Sequence, residues 1–185
     1  QCKPGRYQGS AGQASCLGCE EGTFNALEGQ QSCAFCGAGK YQPLENSTSC
    51  RRCPVGKRQP ATGQASCDLC EPGKYMNTSA STFCATCPTI RYSTTGSALC
   101  DLCAPNHFWH PRTQICEVCG VDRYEGAWCP TVGLDLSSIL LKPGYWRVIK
   151  DSDELFHCDT SAAFCVGGNT SLSICSPGHY GPWCR

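Results

Sequence analysis

The sequence is poor in the large apolar residues from which most protein cores are built. Leucine, isoleucine, valine and phenylalanine number 12, 5, 6 and 6, which is 29 of 185 residues, or about 16%. Fractions below roughly 20% indicate disorder when the net charge is high. Here the net charge is zero, with 15 Lys plus Arg against 15 Asp plus Glu. Charge-driven disorder is therefore excluded, and so is a basic nucleic-acid-binding protein.

Long apolar runs are also missing. The longest apolar cluster, residues 139–141, is far shorter than the roughly 18 residues that cross a bilayer. We therefore expect no membrane span in this chain. The sequence begins with Gln1 rather than Met and shows no signal peptide. We expect a processed chain or a fragment of a larger protein.

Cysteine, in contrast, is abundant, at 20 of 185 residues or close to 11%. This exceeds the roughly 8–10% that marks a disulfide scaffold in short secreted chains. Disulfides persist in oxidising surroundings, so we expect a secreted or cell-surface location. Three N-glycosylation sequons agree with this route, at Asn46, Asn77 and Asn169. We expect covalent glycans on all three.

The cysteines form a tandem repeat. Cys-x2-Cys pairs recur from Cys16 to Cys119 with steps of 17, 17, 17, 17, 16 and 16 residues, which divides residues 1–119 into seven copies. Three residues after each opening cysteine lies a first-turn position: Gly5, Gly22, Gly39, Gly56, Gly73, Ile90 and Asn106. Two residues later lies an aromatic position: Tyr7, Phe24, Tyr41, Arg58, Tyr75, Tyr92 and Phe108. A second-turn position follows: Gly12, Gly29, Asn46, Gly63, Ala80, Gly96 and Thr113. Glycine and asparagine at these positions favour turns with positive φ.

The copies show no helical period, so we expect short strand pairs and turns. One aromatic side chain and one disulfide cannot bury a face alone, so the copies should stack linearly, with the aromatic side chains packed over the disulfides. The predicted fold class is small, disulfide-rich and mostly β or irregular. We expect an elongated ladder of seven one-disulfide repeats over residues 1–119 and a small β module over residues 120–185.

The Cys-x2-Cys spacing also fits zinc ribbons. Seven pairs would make three four-cysteine sites, leave one pair over, and leave six further cysteines unused. Disulfides use all twenty cysteines, so we favour disulfides and expect no metal and no cofactor.

Spacing alone does not determine connectivity. We favour local closure of each copy, a shortened loop from Cys119 to Cys129, and the remaining cysteines paired in order. The expected pairs are Cys2 with Cys16, Cys19 with Cys33, Cys36 with Cys50, Cys53 with Cys67, Cys70 with Cys84, Cys87 with Cys100, Cys103 with Cys116, Cys119 with Cys129, Cys158 with Cys165, and Cys175 with Cys184. Connectivity among Cys129, Cys158 and Cys165 stays open.

Residues 120–185 are richer in apolar side chains, with 15 Leu, Ile, Val and Phe in 66 residues against 14 in residues 1–119. Residues 142–149 predict a turn followed by a strand, residues 150–153 a hairpin tip, and residues 154–158 the return strand. Trp146 and Val148 should then share one face.

Candidate chemical sites are few. One candidate is the pair His107 and His110, on either side of Trp109. A second is the predicted hairpin, which contains Ser152, Asp153 and His157 and has acidic residues at its tip. The sequence places no carboxylate at a fixed spacing from the two histidines that would complete a metal site. The acidic residues at the hairpin tip do not have the spacing of a calcium-binding EF-hand loop. A nucleophilic triad also needs an oxyanion site. We therefore expect no catalytic residue, and a protein that is not an enzyme.

The opening Cys-x-x-Gly-x-Tyr and the closing Gly-Gln-x-Ser-Cys-x-x-Cys resemble the ephrin-receptor-like cysteine-rich repeat and the simplest one-disulfide module of tumour necrosis factor receptors. The resemblance covers residues 2–119, and Arg58, Ile90 and Asn106 depart from it. Residues 175–184 are similar to the closing loop of an EGF-like module. The C-terminal part resembles regions that follow such repeats in large extracellular proteins of algae and other protists.

These resemblances imply a non-enzymatic extracellular protein for adhesion, ligand binding or structure. The near-identical copies, which lack an obvious specificity insert, favour a structural subunit of an extracellular filament, matrix or cell-surface assembly. Its expected partners are further copies of itself or other extracellular proteins, and its apolar C-terminal module should supply the self-association surface. The alternative is a ligand-binding receptor or adhesion ectodomain.

Overall fold

The computed structural model describes residues 1–10, 12–158, 165–168 and 175–178. Within them, secondary structure consists of short strands and one 3-10 turn, Asp122–Tyr124. The strands are β1 (Arg6–Tyr7), β2 (Leu17–Gly18), β3 (Thr23–Phe24), β4 (Ala34–Phe35), β5 (Lys40–Tyr41), β6 (Arg51–Arg52), β7 (Lys57–Arg58), β8 (Asp68–Leu69), β9 (Lys74–Tyr75), β10 (Ala85–Thr86), β11 (Arg91–Tyr92), β12 (Leu102–Cys103), β13 (His107–His110), β14 (Ile115–Val118), β15 (Ala127–Trp128), β16 (Leu140–Leu141), β17 (Tyr145–Trp146) and β18 (Phe156–His157).

The strands pair antiparallel in chain order, β1 with β2 and so on to β17 with β18, which gives nine two-stranded sheets in the described residues. In the repeats, the first strand covers the aromatic position and the residue before it. In the first five copies, the second strand covers the two residues inside the next Cys-x2-Cys pair, as in Thr23↔Phe35 and Phe24↔Ala34. The predicted fold class, small, disulfide-rich and almost entirely β or irregular, is confirmed.

Nine disulfides join described cysteines. They are Cys2–Cys16, Cys19–Cys33, Cys36–Cys50, Cys53–Cys67, Cys70–Cys84, Cys87–Cys100, Cys103–Cys116, Cys119–Cys129 and Cys158–Cys165. Each of the seven copies is therefore closed on itself by its own bond. Cys175 is also disulfide-bonded, and its expected partner Cys184 lies outside the described residues.

The turn positions adopt the left-handed backbone that their residues favour. The five first-turn glycines have φ of 75–81°. At the second-turn position, Asn46 (φ 56°) and Ala80 (φ 63°) stand where other copies have glycine. The seventh copy departs from the prediction, because its left-handed residue is Gln114 (φ 56°) rather than Thr113. The cause is its longer hairpin, in which four-residue strands close a loop over residues 111–114.

Three main-chain hydrogen bonds join each of the first five copies to the next. Between copies two and three, the Gly22 N–H donates to the Gln42 carbonyl (2.8 Å), the Asn25 N–H to the Ser47 carbonyl (3.0 Å) and the Asn46 N–H to the Cys19 carbonyl (2.7 Å). Equivalent bonds recur at every junction up to copy six. The repeat is thus held together by main-chain groups, so the same bonds recur although most side chains differ between copies.

Contacts also reach the second neighbour. A Cβ at Gly22 in copy two would overlap the carbonyl oxygen of Gly63 in copy four. The first-turn glycines of copies one, three and four stand equally close to the second-turn carbonyl two copies further on. Each of these copies therefore contacts the second copy along as well as the next one.

The described chain divides into two compact units. The first comprises Gln1–Cys87 and Ser93–Cys100, and the second comprises Pro88–Tyr92 and the described residues from Asp101 onwards. The second unit has a hydrophobic core made by Phe108, Tyr124, Ala127, Cys129, Leu136 and Ile139. The seventh copy, which contributes Phe108, therefore shares its core with residues beyond Cys119. The domain boundary expected at residue 119 stays a prediction.

Residues 119–134 pack on the seventh copy through the same bonds that join the earlier copies. The Asn106 N–H donates to the Cys129 carbonyl, the Trp109 N–H to the Leu134 carbonyl, and the Gly133 N–H to the Cys103 carbonyl. This segment is thus a shortened eighth step of the ladder. The sequence does not reveal this step, because the spacing from Cys119 to Cys129 is shorter than in the seven copies.

The C-terminal hairpin forms, but it is shorter than predicted. Tyr145 pairs with His157 and Trp146 pairs with Phe156. Trp146 is 8% exposed whereas Val148 is 60% exposed and lies outside the strand, so the expectation that they share one strand face is wrong. The reason is that β17 ends at Trp146, and the Arg147 side chain turns inward instead.

Replacing Gly22 by alanine should destabilise the first unit more than the same change at Gly12. Both residues have positive φ, which costs an alanine about 1–2 kcal/mol. Only Gly22 faces a carbonyl oxygen at overlap distance, whereas a Cβ at Gly12 has no atom within 4 Å. We expect Gly22→Ala to lower the unfolding free energy by about 2 kcal/mol more than Gly12→Ala. Chemical unfolding with intact disulfides measures this, and equal losses would contradict the second-neighbour contact.

Candidate functional sites

A column of five buried residues, four of them polar, runs through the first unit, one residue after the aromatic position. Its members are Asn25, Gln42, Gln59, Met76 and Ser93, with exposures between 0 and 6%. The aromatic side chains beside them are only half-buried in this unit. Sequence reasoning missed this column, although its signal is present: Gln8, Asn25, Gln42 and Gln59 place an amide at the same position in four consecutive copies.

Each amide of this column forms two hydrogen bonds to the main chain. The Gln42 amide donates to the Ser49 carbonyl (2.6 Å) and its oxygen accepts the Leu44 N–H (3.1 Å). The Gln59 side chain makes the equivalent pair of bonds. The Asn25 amide instead donates to the carbonyl of Arg6 in the preceding copy (2.8 Å). Because these buried polar atoms have partners, the column stabilises the ladder.

The first two sequons lie on accessible residues, since Asn46 and Asn77 are exposed. Asn46 occupies the second turn of copy three, where its main-chain N–H is bonded to Cys19. Asn169 lies outside the described residues. The glycans themselves stay a prediction.

In the second unit, Glu117 is the centre of a polar cluster. Its carboxylate accepts hydrogen bonds from Thr113 (2.8 Å) and from the Arg123 guanidinium (3.1 Å). Partial burial raises the pKa of Glu117, but these hydrogen bonds outweigh it and hold the pKa below its ordinary value of 4.5. Burial, and secondarily the neighbouring Glu117, raises the pKa of Tyr124 to about 12. The cluster is therefore a fixed carboxylate beside a neutral phenol.

His110 lies buried between two carboxylates. Its Nδ1 accepts the Thr113 N–H at 3.3 Å and lies 3.8 Å from Glu117, while its Nε2 lies 3.7 Å from Asp153. His107 is three residues away in the same strand, hence on the opposite face, and its Nδ1 lies 3.0 Å from the Pro105 carbonyl. The two histidines that flank Trp109 are therefore not brought together. The described residues contain no group of three side chains suited to hold a metal ion.

The side chains of the C-terminal loop have structural contacts. Arg147, 3% exposed, donates to the carbonyls of Leu136 (2.7 Å), Ser137 (3.2 Å) and Ile139 (3.3 Å). Burial lowers the pKa of Arg147, and nearby carboxylates offset part of that effect. Sequence reasoning missed this residue, because an arginine between strand residues carries no signal of burial.

The three hairpin residues considered for catalysis have separate contacts. The Ser152 hydroxyl accepts the Glu154 N–H at 3.2 Å, and Asp153 faces His110 and Arg112. His157 packs edge-on against Tyr145, with ring centroids 5.0 Å apart.

An open apolar depression lies on the surface of the second unit. Ile115, Val118, Val121 and Tyr124 line it, with Glu117 and Arg123 among its polar edges. The first three side chains are 51%, 43% and 47% exposed. The depression is shallow and open, which suits a protein surface better than a small molecule.

Residues 22–63 match a protein-family model described as tyrosine-protein kinase ephrin type A/B receptor-like. They run from the first turn of copy two to the second turn of copy four, and the disulfide ladder fits cysteine-rich repeats of this kind. No curated protein matches the chain. Across the described residues, no helix is long and apolar enough to cross a membrane. The repeats and disulfides together indicate an extracellular domain.

Replacing Gln42 by methionine should destabilise the ladder. The substitution copies the residue that naturally occupies this column in copy five, Met76, and it removes both amide bonds while leaving the Ser49 carbonyl and the Leu44 N–H unpaired. We expect a loss of about 1–3 kcal/mol in unfolding free energy. Gln64→Met, at an exposed glutamine, is the control and should change stability little. Equal unfolding midpoints for the two variants would disprove a stabilising role for the column.

The second unit should lose stability in acid through Glu117. The pKa of Glu117 is lower in the folded chain than the ordinary 4.5. Its contribution to the free energy of unfolding is therefore present above about pH 4.5 and is lost as the pH falls through the lowered pKa. Glu117→Gln should remove about 1 kcal/mol at pH 7 and weaken the fall in stability between about pH 5 and 3. Glu125→Gln, at an exposed carboxylate, is the control. Unfolding curves across this range measure both, and an unchanged pH dependence in Glu117→Gln would refute the assignment.

Proposed function

We propose that this chain is a non-enzymatic, secreted glycoprotein that serves as a structural subunit of an extracellular filament, matrix or cell-surface assembly. The proposal is supported by the bonds that buried groups form within the first unit. Disulfides, column amides and main-chain N–H groups are bonded to neighbouring parts of the ladder. A chain built this way keeps its form without a large core, which suits a load-bearing or spacing role outside the cell.

The surface proposed for self-association is the apolar depression of the second unit, which lies partly in residues 115–118 and not wholly in the C-terminal module expected from the sequence. Ile115, Val118 and Val121 expose apolar area that a second copy of the chain could cover. Contacts of one patch with a different patch on the next copy produce fibres when the rotation between copies does not close into a ring. The EGF-like character expected of residues 175–184 stays a prediction.

The alternative is a ligand-binding receptor or adhesion ectodomain. The depression favours it as much as self-association does, because another extracellular protein could occupy the same surface. The two functions differ in what the purified chain does alone: a subunit polymerises, and an ectodomain stays monomeric until its ligand is added.

The purified glycoprotein should form filaments or large oligomers that depend on the depression. We expect the double variant Val118→Ser with Val121→Ser to reduce assembly at least tenfold, because the interface loses its apolar contacts. The control is Val148→Ser with Ile149→Ser, which changes two residues that are 60% and 59% exposed in the loop after β17. Light scattering and electron microscopy measure the result.

The outcomes separate the two claims. A native chain that stays monomeric at all concentrations would overturn the structural role and favour the ectodomain. Assembly that persists in both double variants would preserve the structural role but exclude the depression as its interface.

A further inference from the structure

Charge is unevenly distributed along the first unit, although the whole chain is neutral. Residues 17–35 contain Glu20, Glu21 and Glu28 and no lysine or arginine, which gives a net charge of −3. Residues 36–66 contain five cations and one carboxylate, Glu45, which gives 5 − 1 = +4. The five cations are Lys40, Arg51, Arg52, Lys57 and Arg58. An acidic segment is thus followed directly by a basic one.

The hairpin of copy three places two cations face to face. Lys40 in β5 is directly opposite Arg52 in β6, and both side chains are exposed. Like charges in such a cross-strand pair destabilise a hairpin. Arg51, on the other face of β6, is exposed as well. The sequence therefore concentrates positive charge here at a cost in stability.

The next copies continue the row. Lys57 in β7 and Lys74 in β9 occupy the position of Lys40 in their own hairpins, so the repeat presents these side chains on equivalent faces. Lys74 forms an ion pair with Glu71 at 2.8 Å. Within the described residues, Lys40, Arg52 and Lys57 form no such pair within 4.0 Å. The uncompensated part of the row lies in copies three and four.

We propose that the basic row formed by Lys40, Arg52 and Lys57 is a binding site for a linear anionic polysaccharide. A ladder repeats its cations at a fixed step, and a linear polysaccharide repeats its anionic groups at a fixed step, so several contacts form in register. Arginine guanidinium groups bind sulfate and carboxylate oxygens through paired hydrogen bonds. The bound anions would also relieve the repulsion between Lys40 and Arg52. The site is independent of the apolar depression and of self-association.

Heparin affinity tests the site on the intact glycoprotein. We expect retention on immobilised heparin at about 0.15 M NaCl and elution as salt rises, because binding releases counterions. The double variant Lys40→Gln with Arg52→Gln should bind soluble heparin about tenfold more weakly, with a salt dependence reduced by roughly two counterions. Without heparin it should be at least as stable as the native chain at low salt, because the like-charge pair is gone.

The matched control is Lys3→Gln with Lys150→Gln, which removes the same charge from two other exposed lysines. Equal weakening in both double variants would overturn the site, because it would show a response to net charge alone. Hyaluronan, which carries carboxylates without sulfates, is the second ligand. Binding to it identifies a carboxylated ligand, and binding to heparin alone identifies a sulfated one.

Two further outcomes would also overturn the proposal. One is binding to acidic phospholipid vesicles with no binding to either polysaccharide. The other is low-salt self-association that is lost on replacing Glu20 and Glu21 by glutamine, without polysaccharide binding. In that case the basic row would bind the acidic segment, residues 17–35, of a second molecule of this chain.

Discussion

Main-chain hydrogen bonds between copies are the interaction on which the first unit depends. A disulfide closes each copy, but it does not join that copy to the next. The joining bonds include that from the Gly22 N–H to the Gln42 carbonyl. The same glycine has a φ of 76° and lies against the Gly63 carbonyl oxygen two copies further on, which a Cβ would overlap. The cysteine and the glycine of the repeat thus have complementary roles, one within a copy and one between copies.

The scarcity of apolar residues explains why amides occupy the interior of this ladder. A buried amide that satisfies both its donor and its acceptor fixes the geometry of the main chain around it, which an aliphatic side chain cannot do. Gln42 and Gln59 serve this purpose at corresponding places. In copy five Met76 takes the place of the amide, and there the Thr78 hydroxyl contacts its sulfur at 3.2 Å. The ladder therefore combines covalent closure with polar packing, and among the described residues the hydrophobic clusters lie in the second unit.

The parts of this fold that depend on local sequence could be predicted, and the parts that depend on distant contacts could not. Cysteine spacing favours the closure of each copy, and residue type at the turns predicts positive φ at Asn46. Phe108 is buried in a cluster that includes Ile139, thirty-one residues further on, and spacing carries no information about that cluster. Arg147 is buried because three carbonyls from residues 136–139 converge on it. Its sequence neighbours, which suggest an alternating strand, give no sign of this.

Net charge is a poor guide to the surface of a repeat protein, because an average over the chain cancels segments of opposite sign. In a globular domain, sequence neighbours spread over the surface and local imbalance is blurred. In a ladder each position recurs at the same place in every copy, so a residue type repeated at one position becomes a continuous row. The basic residues that precede the aromatic position follow this rule at Lys40, Lys57 and Lys74. A net charge of zero therefore excludes a uniformly basic protein. It is still compatible with a surface on which one segment attracts polyanions and the neighbouring segment repels them.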